Sequence, residues 1–145
     1  MIKLAYLLGG VSLGIIVFQS AVVAPLVFVQ LKNGASGPFL RALFPRFFLI
    51  LAGLGLAMGI TSQLAGFTAG AILGGLALGF ALLAYALIPA TNRARDEAKA
   101  ATFKRLHLAS VLLTLAVGVV DGVTLFIQPT RSGSKPDCQF LTYTI

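Results

Sequence analysis

The sequence predicts an all-α fold: an integral membrane four-helix bundle with both termini on the periplasmic (outer) side. Three observations point to it. Hydrophobic residues make up 58% of the 145-residue chain and charged residues only 10%, with a mean hydropathy of +0.97, whereas a soluble domain carries about 25% charged residues. Four apolar stretches can each cross a hydrocarbon core of about 30 Å, which takes roughly 20 helical residues. The cations divide unevenly between the loops that would lie on opposite sides.

The first span covers residues 4–31 and opens "MIKLAYLLGG", a short cationic start before an apolar core, as in a secretory leader. The run is too long for an ordinary leader core. The best small-residue cleavage position, after Ala24, is followed by Pro25, so the first helix is expected to stay in the protein. The second span, 39–61, starts within "GPFLRALFPRFF". Pro38 suits a first helical turn, Pro45 predicts a kink, and Arg41 and Arg46 would snorkel to the interface. The loop "SQLAG" is short and uncharged, which makes the second span and the third, 66–88, antiparallel neighbours. "PATNRARDEAKAATFKR" is polar and alanine-rich and is expected to form a cytoplasmic helix leading into the fourth span, 106–127. Asp96 and Glu97 would pair there with nearby cations on a solvated face.

These spans make one bundle over residues 1–127, followed by an extramembrane tail, 128–145. "TRSGSKPD" in the tail reads as a connector, and "FLTYTI" has the β-branched and aromatic content of an extended segment. The alternatives for it are a disordered terminus and a peptide that docks on a partner. Cys138 is the only cysteine, so no internal disulfide forms, and an ordinary free thiol is expected.

Four spans place Lys3, Arg131 and Lys135 on one side of the membrane and Lys32, Arg41, Arg46, Arg93, Arg95, Lys99, Lys104 and Arg105 on the other. The cation-rich side is expected to be cytoplasmic. The formal +7 charge is thus mainly a topology signal that also suits anionic headgroups. No basic domain with base-reading motifs accompanies it, so no nucleic-acid partner is expected.

Every span carries small residues four apart, the spacing that lets helix backbones approach closely in lipid. They are Gly10 with Gly14 on the first span, and Gly55 with Gly59 on the second. The third has Gly66, Gly70 and Gly74, then Gly75 with Gly79, and the fourth has Gly118 with Gly122. Packing within the chain is the expected use; a neighbouring protein is the alternative.

On the fourth span His107, Ser110, Thr114 and Asp121 recur at intervals of three, four and seven, which puts them on one helical face turned from lipid. Asp121 is the only acidic residue inside a span. Burying its carboxylate costs at least about 2.5 kcal/mol, so it needs a partner, water or a proton. It is read either as an ion or proton site or as a buried interhelical hydrogen bond. His107 and Asp121 lie roughly 21 Å apart along a helix, which excludes a Ser-His-Asp triad from this stripe. Pro25 leaves the Ala21 carbonyl without its usual donor. His107, Ser110 and Gln19 are therefore expected to form a polar clasp between the first and fourth helices, with Pro25 among the packing residues.

Four motifs, "VVAPLVFVQL", "LFPRFF", "NRARDEA" and "FKRLHLAS", together resemble a family of small four-helix membrane proteins. That family includes transmembrane protein 205 and bacterial relatives classed as a domain of unknown function. The resemblance covers most of residues 18–116 and marks Pro25, Phe28, Pro45, Asn92, Phe103, Leu106, His107 and Ser110 as signature positions. It implies a four-span bundle without an established catalytic activity. The animal member's association with tolerance of platinum drugs keeps transport or metal handling open. Two departures stand out: Thr114, where the pattern often has asparagine, and the tail.

The expected function is that of a non-enzymatic structural or accessory subunit of a larger membrane complex, in a bacterial inner membrane or its equivalent. Its partners would be the lipid bilayer and other proteins or further copies of itself. One alternative is a transport or resistance protein for a small solute, proton or metal ion, with Gln19, Thr114 and Asp121 along the path. Another is a haem- or chlorin-binding redox or pigment protein. No catalytic or metal-ligating residue and no resident cofactor are predicted; a tetrapyrrole held by His107 is the alternative.

Overall fold

A computed structural model describes residues 1–30 and 36–127, without the side chain of Phe28. Leu31, Lys32 and the tail, with Arg131, Lys135 and Cys138, lie outside the described residues. The described chain is all-helical: α1 (Ile2–Phe18), a π-helical turn (Gln19–Val23), α2 (Ala24–Gln30), α3 (Ser36–Leu64), α4 (Thr68–Asp96) and α5 (Ala100–Phe126). Four segments, Ile2–Val27, Ser36–Leu64, Thr68–Asp96 and Ala100–Phe126, are long and apolar enough to cross a membrane. The composition and these lengths make the chain a multi-pass membrane protein.

The helices outrun the apolar spans read from the sequence. Polar residues on both sides of the α4–α5 connection belong to the two spanning helices themselves, α4 continuing through Pro89 to Asp96. No separate helix stands between them. The turn is Glu97–Lys99, with Ala98 in the left-handed region at φ 53°. The Lys99 N–H donates back to the Ala94 carbonyl at 2.9 Å, so the left-handed residue lets α4's last carbonyls find donors. The α3–α4 turn uses Gly66 in the same way, at φ 71°. Pro45 lies inside α3, which runs on past it without a break.

Packing runs from α3 to α4, from α4 to α5, and from α1 to both α3 and α5. The tightest contact is between α3 and α4. A Cβ on Gly74 would stand 2.5 Å from Gly59 Cα, and one on Gly55 would stand 2.8 Å from Leu78 N. Ala77, Ala81 and Ala84 continue this small face of α4, all but sealed from outside. Phe47, Phe48, Leu51 and Met58 of α3, Ile16 of α1 and Val117 of α5 complete the core.

Helix α1 presents Ala5, Gly9, Ser12 and Ile16 to the bundle. The close-packed glycine of this helix is therefore Gly9, where a Cβ would come within 3.2 Å of Met58 Sδ, whereas Gly10 and Gly14 face open space. Gly75, Gly79 and Gly122 also face open space, and Gly66 belongs to the turn. Among the described residues these six meet no neighbour, because spacing alone does not set which way a helix is rotated. Gly55, Gly59, Gly70 and Gly74 line the α3–α4 contact, and Gly118 makes ordinary contacts with Leu13 and Ile16.

One end of the bundle is tied across the chain. The Tyr6 hydroxyl donates to the Ile127 carbonyl at 3.0 Å, and its ring lies 6.2 Å from that of Phe67. This joins the start of α1, the α3–α4 turn and the end of α5. At the opposite end the first span diverges: among the described residues the π turn makes its main contacts with α1 and α2, and α2 with the π turn. Gly74→Ala is expected to destabilise the bundle by about 1–3 kcal/mol, as overpacking does. Gly75→Ala, facing open space, should stay within about 0.5 kcal/mol. Thermal unfolding of both variants in mild detergent measures the difference.

Candidate functional site

The divergence of the first span opens a cavity of about 540 Å³ between the π turn, α3, α4 and α5. That is a size usual for small-molecule sites, about 300–1,000 Å³. Its shape starts with Pro25. Proline has no N–H and its ring crowds the carbonyl four residues back, so a regular α-helix cannot pass it unchanged. The turn before it widens instead, and the Ala24 N–H reaches back five residues to the Gln19 carbonyl. A π turn of this kind re-aims the side chains it carries. Gln19, Ser20 and Ala24 all line the cavity.

The other walls follow from helical spacing. Gly37, Leu40, Arg41, Phe44, Phe47 and Phe48 come from α3, Ile88, Thr91, Asn92 and Arg95 from α4, and Phe103, His107, Ser110, Val111, Thr114 and Leu115 from α5. The cationic groups stand at the end where the α4–α5 turn lies. Four phenylalanines supply apolar wall; Phe44 and Phe48 stack at 6.1 Å, and Phe47 meets Phe48 edge-on at 5.2 Å. Arg41 pairs with Asp96 across α3 and α4, while Glu97 pairs locally with Lys99 at 2.7 Å. Arg46 turns back to the Ala42 carbonyl at 2.8 Å.

The predicted polar stripe divides into two parts. Gln19, His107, Ser110 and Thr114 share the cavity. No hydrogen bond joins Gln19, His107 and Ser110 among the described residues; they face a common space and form no clasp. Thr114 Oγ1 donates to the Ser110 carbonyl at 2.8 Å. His107 is exposed, its ring stacked on Phe103 of the same helix at 5.8 Å and 6°. Pro25 is exposed as well and acts through the backbone rather than by packing.

Asp121 lies two helical turns farther along α5, 1% exposed, beyond the buried side chains of Ile16 and Val117. Its neighbour across the α1–α5 contact is Ser12. The geometry stops short of a hydrogen bond, and Ser12 Oγ and both Asp121 carboxylate oxygens have no partner among the described residues. Sequence reasoning missed Ser12, whose signal was its place on the Ala5–Gly9–Ile16 face. It also missed the cavity's arginine and phenylalanine walls, which the sequence offers only as interface cations and core.

Residues 7–100 match the model of a family described as a domain of unknown function, DUF4149. The match takes in well over half of the chain. The chain belongs to that family. The DUF4149 match includes the π turn and the α3 and α4 walls of the cavity and ends where α5 begins, so His107, Ser110, Thr114 and Asp121 lie beyond it. No curated protein and no solved structure matches the chain.

Buried acceptors without donors destabilise a fold by about 1–3 kcal/mol. Asp121→Leu, close in volume and apolar, should therefore leave thermal stability unchanged or higher. A drop of comparable size, measured by unfolding in mild detergent, would show that the carboxylate holds a partner.

Proposed function

We propose that this chain is a non-enzymatic membrane protein that holds a small amphipathic ligand between its helices and serves as an accessory subunit of a larger assembly. The observation that carries the ligand-holding role is the cavity, in which apolar phenylalanine walls and polar side chains from four helical segments face one space. Such a mixture, with a few polar groups set in an apolar lining, is what orients a bound small molecule. Gly10, Gly14, Gly75 and Gly79, which face open space, support the accessory role: small residues at this spacing let a further helix approach closely. The uneven cations favour a periplasmic location for both termini and a bacterial inner membrane or its equivalent. The four sequence motifs favour kinship with transmembrane protein 205.

Protein purified in mild detergent should retain a non-protein ligand, seen as an added mass in native mass spectrometry. Ser110→Trp, which fills the cavity from α5, should abolish the added mass while leaving the unfolding temperature within a few degrees. Protein that carries no added mass under any gentle extraction would overturn the ligand-holding role.

A second reading, transport of a proton or small cation, is favoured by the unpartnered Asp121 carboxylate facing Ser12. In this reading Gln19 and Thr114 line the way in, and Asp121 is the exchange site beyond Ile16 and Val117. Uptake into vesicles containing the protein should then fall to background in Asp121→Asn. Uptake that is unchanged in that variant rules the carboxylate out.

A further inference from the structure

We propose that the cavity seats an anionic phospholipid drawn from the surrounding leaflet, its phosphate held at Arg95 and His107 and its chains leaving sideways between the π turn and α5. This rests on the ligand-holding role and names the ligand.

The charge on the lining has one sign. Arg41 and Arg95 face the cavity with His107 beside them, and no acidic side chain lines it among the described residues. Arg41 is already paired with Asp96, whereas Arg95 makes no salt bridge among the described residues. Arg95 is exposed and reaches across to α3. Its guanidinium lies over Gly37, with Nη2 3.4 Å from where a Cβ would stand. A glycine at this point lets the guanidinium rest against α3 at the cavity mouth. A planar fork of donors held there suits a phosphate, and the imidazole of His107 adds a ring nitrogen from α5.

Along α4 the lining passes from Arg95 through Asn92 and Thr91 to Ile88, and along α5 from His107 through Ser110 to Leu115. Asn92, Thr91 and Ser110 stand next, at the depth of glycerol and ester oxygens. Phe44, Phe47, Phe48 and Ile88 offer an apolar wall, with Gln19 and Thr114 as polar groups beside it. Ser20, Val111 and Leu115 line the cavity and are also exposed, so the space opens sideways along the gap between the π turn and α5. The cavity takes a headgroup and the first part of its chains, and the remaining chain length continues through that gap into the bilayer. A zwitterionic lipid fits less well. Its ammonium or choline would lie beside the Arg95 guanidinium, with the neighbouring Asp96 carboxylate already engaged by Arg41, and desolvating an unpaired charge is costly.

The test uses the full chain in mild detergent, stripped of lipid and offered phosphatidylglycerol or phosphatidylcholine of equal chain length, with bound lipid counted by native mass spectrometry. Phosphatidylglycerol should bind at one copy, with about fivefold or greater preference. Arg95→Gln should lose that preference. Arg93→Gln, which removes the same charge from an exposed residue outside the cavity, should keep it. Glycerol 3-phosphate, which has the headgroup chemistry and no chains, should not be retained.

Equal binding of the two lipids would overturn the anionic assignment while leaving the ligand-holding role intact. Equal losses in the two arginine variants would reduce the effect to diffuse surface charge and overturn the seat at Arg95. Retention of glycerol 3-phosphate as strongly as the lipid would overturn the assignment to a membrane source. Binding of none of the three would count against the cavity as a ligand site altogether.

Discussion

The architecture depends on how closely α3 and α4 approach each other. Lipid gives apolar helices no reason to associate by hydrophobicity, so they must gain contact energy from backbone-to-backbone packing. Gly55, Gly59 and Gly74 permit it, and the buried alanines of α4 extend it toward the cavity. With those two helices fixed as a pair, α5 lies against α4, and the first half of α1 closes the ring between α3 and α5. Among the described residues the second half of the first span makes few contacts with the other spans, although Val27 is buried. It is where the bundle opens, and the opening is the cavity.

The helices themselves were legible in the sequence, because long apolar runs in a chain with few charges have few other solutions. Their ends were less so. Hydropathy reports the part that suits hydrocarbon, while a helix continues for as long as its hydrogen bonds do. The residues around Asn92 and Ala101 illustrate this: polar, and still part of α4 and α5. Glycine spacing was informative only in part. Gly9 and Gly10 are adjacent and equally small, yet one is buried against Met58 and the other faces outward. Rotation about the helix axis decides between them, and it is set by the neighbours' side chains, which the spacing within one helix does not encode.

For the site, the polar face of α5 could be read from its period, and Gln19 was placed at a matching depth by counting residues. The purpose of Pro25 was less visible. Its missing N–H pointed to an orphan carbonyl seeking a polar partner, whereas the structure responds by widening the preceding turn. That response converts an expected hydrogen-bonded clasp into a space. Arg95 and Phe48 join the site through three-dimensional convergence of α3 and α4, and they were otherwise indistinguishable from the many interface cations and core aromatics in the chain.

The hydrogen bond from Tyr6 to Ile127 makes the bundle mechanically lopsided. It pins the start of the first span, which Ala5, Gly9, Ser12 and Ile16 then hold against the bundle, so the span departs from its neighbours only at the π turn. The side gap therefore borders a stretch that neither the pin nor the packed face of α1 holds, and its breadth is set by the widened turn before Pro25 rather than by the core.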